Sequence, residues 1–149
     1  QHGGIKITSI IRAFFANIFS GKLSQGGSTI TQQVVKNSIL TKDKTITRKL
    51  KEWVISMQLE KVMTKDQILS LYLNEAPYGG MAWGVEAASR QYFGKSVDKL
   101  DLAECAILAG LPQLPSIYSP YSSTPKAYID RTQHVLNRMV EDKYIDKNL

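Results

Sequence analysis

Apolar residues recur at helical spacing along most of the chain. In IKITSIIRAFFANIFS, residues 5–20, the set Ile11, Phe14, Phe15, Ile18 and Phe19 follows i, i+3, i+4, i+7, i+8, with Ile10 beside it. That stripe predicts an amphipathic helix. Its polar side is thin, with Arg12 and Asn17, and Lys22 beyond Gly21. It fits a core helix, or a helix dipping into a membrane interface. The pattern alone favours the core helix.

Helix starts are well marked further on. Thr29 and Gln32 have T-x-x-Q capping-box spacing, with Ser28 as an alternative cap. A third helix is expected from about Thr45 to Met63. Thr64 and Gln67 open a short one through Leu73. Helical patterning resumes from Val85 to Phe93. Asp101 with Glu104 gives another capping box before LAECAILAGL. Thr124 as N-cap and Pro125 at N1 open the last helix, to about Glu141. SGKLSQGG, TKDKT, EAPYGGMAWG and PQLPSIYSPYSSTP read as connections. No strand pattern and no internal repeat stand out, so the expected fold class is mainly α.

The 149 residues suit one domain, or a lobe and a half. The formal net charge of +6 suits an anionic partner: nucleic acid, a phosphate-bearing substrate or an anionic lipid surface. Cys105 is the sole cysteine, so no intrachain disulfide forms. In its apolar helix a buried, inert thiol is expected. No run of about 18 apolar residues is present to span a membrane. The start at Gln1, without Met or leader, is expected to reflect a piece of a longer protein.

The third helix carries the densest charge. Leu50, Trp53, Val54 and Met57 fall within about 100° of arc and are expected to be its buried face. Arg48, Lys49, Lys51 and Glu52 gather on the other side. Arg48 and Glu52 are i, i+4, and Lys49 and Glu52 are i, i+3. Two readings stay open: a solvated face with weak ion pairs, or an anion site in which Arg and Lys hold phosphate oxygens and Glu orients them.

GGSTITQQVVKN, residues 26–37, has the same ambiguity. Its glycines allow close backbone approach, and a helix N-terminus presents free N–H groups. A capped surface helix explains one or two of its polar side chains. The rest look like a surface for a hydroxyl-rich ligand such as a sugar. No lysine follows the glycines at P-loop spacing, so a nucleotide site is not expected. His2 and His134 have no metal-ligand spacing around them, and His134 is expected to pack or face solvent.

Taken in order, these motifs resemble the peptidoglycan glycosyltransferase (transglycosylase) domain of penicillin-binding proteins, glycosyltransferase family 51. One family motif is similar to Gly26, Gly27, Ser28, Thr29, Ile30, Thr31, Gln32 and Gln33, followed by Lys36 and Asn37. R-K-x-x-E is matched by Arg48, Lys49 and Glu52. K-x-x-I-L-x-x-Y-L-N is matched by Lys65, Ile68, Leu69, Tyr72, Leu73 and Asn74. R-x-x-x-V-L-x-x-M is matched by Arg131, Val135, Leu136 and Met139. The likeness covers essentially the whole chain.

The resemblance implies a lysozyme-like helical lobe, residues 25–149, with a smaller membrane-facing jaw, residues 5–24, in a single domain spanning 1–149. It reverses the preference for a core helix: Phe14, Phe15, Ile18 and Phe19 become membrane contacts. It implies polymerisation of lipid II into β-1,4-linked glycan with release of polyprenyl pyrophosphate, at the extracytoplasmic face of the bacterial cytoplasmic membrane, with any anchor outside this chain. Arg48, Lys49 and Glu52 are the implied catalytic residues. Ser28, Thr29, Gln32, Gln33, Lys36, Lys44 and His2 are implied to bind substrate, and Tyr72, Asn74 and Arg131 to support the site. The implied partners are lipid II, the growing glycan strand, the membrane surface and a downstream transpeptidase domain with the cell-wall synthesis machinery, and no nucleic acid. No cofactor is required by the motifs, though a divalent cation, Mg or Mn, is left open.

Of the family's first motif, E-D-x-x-F-x-x-H-x-G, only His2 and Gly4 are present. The Glu regarded as general base would precede Gln1, so the chain as given is expected to be inactive or impaired. Lys6 replaces a common Asp, and Lys44 stands where an Arg is common. Two other readings are carried: a lysozyme-like hydrolase, disfavoured because it needs paired carboxylates more than phosphate clamps, and a non-catalytic basic module that binds nucleic acid or anionic lipid.

Overall fold

The computed structural model describes residues 28–38 and 45–147. The jaw segment 5–24, with Phe14, Phe15, Ile18 and Phe19, lies outside the described residues. So do His2 and Lys44.

Seven α-helices are described: α1 Ile30–Ser38, α2 Ile46–Val62, α3 Lys65–Glu75, α4 Val85–Phe93, α5 Leu102–Gly110, α6 Pro115–Tyr118 and α7 Pro125–Glu141. The mainly α class therefore holds, and among the described residues no helix is long and apolar enough to cross a membrane. The expected starts are present as built caps. Thr29 Oγ1 accepts from the Gln32 N–H and Gln32 Oε1 from the Thr29 N–H, both at 3.2 Å. Thr64 with Gln67, and Asp101 with Glu104, form full capping boxes, and Thr45 Oγ1 caps α2 through the Arg48 N–H. Each satisfies N–H groups that a helix start leaves unpaired. Thr124 differs: its hydroxyl donates to the Ile117 carbonyl at 3.4 Å, and Pro125 at N1 sets the start of α7.

Four expectations are corrected. PQLPSIYSPYSSTP, read as a connection, contains the short helix α6, Pro115–Tyr118. EAPYGGMAWG contains a short antiparallel hairpin, β1 Pro77–Gly79 and β2 Ala82–Trp83. Strands of three and two residues are too short to show a period of two. Cys105 is exposed, not buried. The faces of α2 are also reversed: Glu52 and Ser56 are its buried residues, while Leu50, Trp53, Val54 and Met57 are exposed. The cause is the neighbour. Helix α1 packs on both α2 and α3, and it meets α2 through polar groups. Thr31 Oγ1 donates to Glu60 Oε1 at 2.6 Å, and Lys49 Nζ donates to Ser28 Oγ at 3.0 Å.

The main apolar core lies elsewhere, around the hairpin. Ala76, Tyr78, Ala82, Ala88, Leu108 and Leu111 are buried together. Tyr72, Val85, Tyr92 and Phe93 pack on them. Truncating a fully buried Leu such as Leu111 costs about 2–5 kcal/mol in such a setting. Gly84, between β2 and α4, has a positive φ of 82°. A Cβ there would sit 2.6 Å from the Asn74 carbonyl oxygen, so glycine is required. Helix α5 meets α7 equally closely: a Cβ at Gly110 would lie 2.8 Å from Arg131 Cγ.

Candidate active site

The site is built where α1 begins and the first turns of α2 pass beneath it. Thr45 starts α2 with a side-chain cap, which sets the phase of every residue that follows. Lys49 and Glu52, three residues apart, then share one face. That face turns inward against α1. Glu52 is 1% exposed and Lys49 20%. Lys49 Nζ bonds both the Glu52 carboxylate and the Ser28 hydroxyl just ahead of α1. Ser56, one turn on, donates from Oγ to the Glu52 carbonyl at 2.6 Å.

A buried carboxylate needs partners to offset its desolvation. Glu52 Oε1 has the ammonium. Glu52 Oε2 is buried with no hydrogen-bond partner among the described residues, and Arg48 Nε is in the same condition. The expected i, i+4 pair of Arg48 with Glu52 does not form; Lys49 takes the carboxylate. The site thus holds a fixed ammonium, an unused carboxylate oxygen and a guanidinium nitrogen in search of an acceptor. Arg131 Nε, on α7, is likewise buried without a partner among the described residues, so what marks this site is that two such atoms lie one turn apart on α2 beside the Lys49 ammonium.

The remaining sequence-predicted residues separate into groups. Thr29 and Gln32 bond each other in the α1 cap. Gln33 is half-buried and Lys36 exposed on the same helix. Tyr72, on α3, packs against the main core, and burial raises its phenol pKa. Tyr78 beside it is raised further by burial and then by Tyr72. Asn74 Nδ2 donates to the Ser70 carbonyl at 2.9 Å, and its own carbonyl abuts Gly84. Arg131 lies away from α2, on α7, with its guanidinium 5.6 Å from the centre of the Tyr118 ring, a cation–π contact that ties α7 to α6. Among the described residues no group of three or more His, Cys, Asp or Glu is placed to hold a metal ion.

Sequence reasoning missed Ser56, and the link from Thr31 to Glu60. The signal was present: Lys49, Glu52, Ser56 and Glu60 follow i, i+3, i+7, i+11 and so share a face.

Fold and site define a helical domain that holds a carboxylate under an ammonium, at the foot of a hydroxyl-rich helix start. The family model described as transglycosylase matches residues 1–140, and the chain belongs to that family. Over 99% of its length it is 46% identical to penicillin-binding protein 1A of Clostridium botulinum (strain Langeland), of which it covers 19%. Over 97% of its length it is 46% identical to penicillin-binding protein 1A of Escherichia coli K12, covering 17% of that protein. The crystal structure of penicillin-binding protein 1A from Haemophilus influenzae is similar with a TM-score of 0.54 and 32% identity, over 83% of this chain and 15% of that one. The chain thus spans about a fifth of the length of these curated relatives.

Proposed function

We propose that this domain polymerises lipid II into β-1,4-linked glycan at the extracytoplasmic face of the bacterial membrane. The observation that carries the reading is the buried Lys49–Glu52 pair joined to Ser28. In the reaction, the 4-hydroxyl oxygen of an acceptor sugar attacks the anomeric carbon of a lipid-linked donor strand. The bond from that carbon to the pyrophosphate oxygen breaks, and the polyprenyl pyrophosphate leaves with the electron pair. The acceptor proton passes to a base, which the family resemblance assigns to a Glu upstream of His2.

The residues of α2 suit the leaving group. Negative charge grows on the departing pyrophosphate, and cations fixed in advance stabilise it without reorganising. Lys49 is fixed by Glu52 and Ser28. Arg48 brings a planar fork with an unused buried nitrogen. Lys36 adds charge from α1. Gln33 faces hydroxyl-rich substrate as an uncharged amide, while Thr29 and Gln32 hold the helix start in shape. Tyr72, Asn74 and Arg131 brace the scaffold. A membrane surface, the growing strand and a downstream transpeptidase domain are the proposed partners.

The test is incubation of the intact protein with lipid II. Glycan polymer and released polyprenyl pyrophosphate are expected. Soluble muropeptides from purified cell wall, with lipid II unconsumed, would favour a hydrolase instead.

A further inference from the structure

A second groove lies between the hairpin, α4 and the segment after α6, on elements other than those that carry Lys49 and Glu52. It is a cavity of about 590 Å³, within the usual range for small-ligand sites, about 300–1,000 Å³. None of its lining residues is charged, in a chain of net charge +6. Its walls carry two exposed aromatic rings, Trp83 at 60% and Tyr121 at 74% exposure.

Both rings stand on held backbone. Trp83 sits in β2, paired with Pro77. Tyr121 stacks on Tyr92, with ring centres 5.8 Å apart and planes 14° apart. Its N–H donates to Ser119 Oγ at 3.2 Å. Tyr92 is itself anchored, its hydroxyl donating to the Tyr78 carbonyl at 2.8 Å. Gln91, Ser116 and Ser119 line the same groove and add neutral polar side chains to it. Gln91 Nε2 donates to the Gly79 carbonyl at 3.2 Å, which holds its amide at the rim.

We propose that this groove binds a neutral, N-acetylated β-1,4-linked glycan segment, at a site separate from the reaction centre. Flat apolar faces matched to rings, with neutral donors and acceptors in the same groove, suit a sugar chain. The lack of charge argues against phosphate and acidic peptides. Proline-rich peptides dock in aromatic-lined grooves. Here the space between Tyr92 and Tyr121 is filled by their own stacking. The choice of glycan rests on the proposed function only in that the same polymer is the product.

The test is calorimetric titration of the intact protein with β-1,4-linked N-acetylglucosamine hexamer, with lipid II polymerisation measured on the same preparation. Binding is expected to weaken at least tenfold in Trp83→Ala and in Tyr121→Ala, to be largely kept in Trp83→Phe, and to change less than twofold in Glu52→Gln. No hexamer binding overturns the proposal, as does binding lost in Glu52→Gln but kept in Trp83→Ala. Tighter binding of a proline-rich decapeptide than of the hexamer, lost in Trp83→Ala, also overturns it. Failure of hexamer binding with polymerisation intact removes the groove alone. Absence of polymerisation with groove binding intact removes the enzymatic reading alone.

Discussion

Lys49 Nζ reaches Ser28 Oγ at 3.0 Å while bonding the buried Glu52 carboxylate, so one ammonium ties the residue ahead of α1 to the second turn of α2. The hydroxyl limits where the ammonium sits. Ser28→Ala removes one of its bonds and leaves the ion pair. Polymerisation of lipid II is expected to slow about tenfold, the size of one hydrogen bond to a charged group. Ser28→Thr keeps the hydroxyl and is expected to retain most of the rate. Equal rates for Ser28→Ala and the parent protein would show that the tie is not used.

The bond from Thr31 to Glu60 at 2.6 Å joins α1 to α2 on the same face. Thr31 is buried and Glu60 is exposed. Thr31→Val is expected to cost about 1–2 kcal/mol, read from the urea midpoint. In a double-mutant cycle with Glu60→Gln, the two changes are expected to be less than additive.

Two glycines with positive φ separate backbone strain from collision. Gly94 has φ of 68° and open space where a Cβ would go, whereas Gly84 would place one against the Asn74 carbonyl. Gly94→Ala is expected to cost about 1 kcal/mol, and Gly84→Ala at least about 2 kcal/mol. Thermal unfolding of the two variants side by side measures the difference.

Glu86 links α4 to the turn that follows it. The hydrogen bond from the Val97 N–H, then the Arg90 charge and the Ser96 hydroxyl, hold its carboxyl below the ordinary carboxylate value. A depressed folded pKa stabilises above the unfolded pKa, and that contribution is lost as pH falls through the folded value. Glu86→Gln is therefore expected to lower Tm at pH 7, with the gap closing below about pH 5. An equal gap at pH 3 and pH 7 would contradict this origin.

Much of the helical layout could be read from local chemistry. The boxes at Thr29, Thr64 and Asp101 bond as their spacing predicts, because caps depend on residues within one turn. The hairpin could not be read so. It exists because Gly79 and Gly80 take positive φ and its residues Tyr78 and Ala82 enter the core. The inward face of α2 differs from the expected one for a related reason. Periodicity reports which residues share a face, and not which neighbour covers it. Leu50, Trp53 and Met57 form the expected stripe, but α1 packs on α2, the buried residues of α2 are Glu52 and Ser56, and Lys49 bonds Ser28 just ahead of α1. The site residues Arg48, Lys49 and Glu52 were visible as a charge cluster. That Glu52 is buried, and that Lys49 rather than Arg48 holds it, required the fold.

The central claim is that Lys49 and Glu52 act as one unit on the departing pyrophosphate. Its most direct test is the rate of lipid II polymerisation by the intact protein carrying Lys49→Ala, Glu52→Gln, or both, with thermal unfolding confirming that each variant is folded. Each single change is expected to lower the rate by about 100-fold or more. The double variant is expected to be no slower than the slower single, as for groups that work together. Near-parental rates in both singles, or losses that multiply in the double, would contradict it.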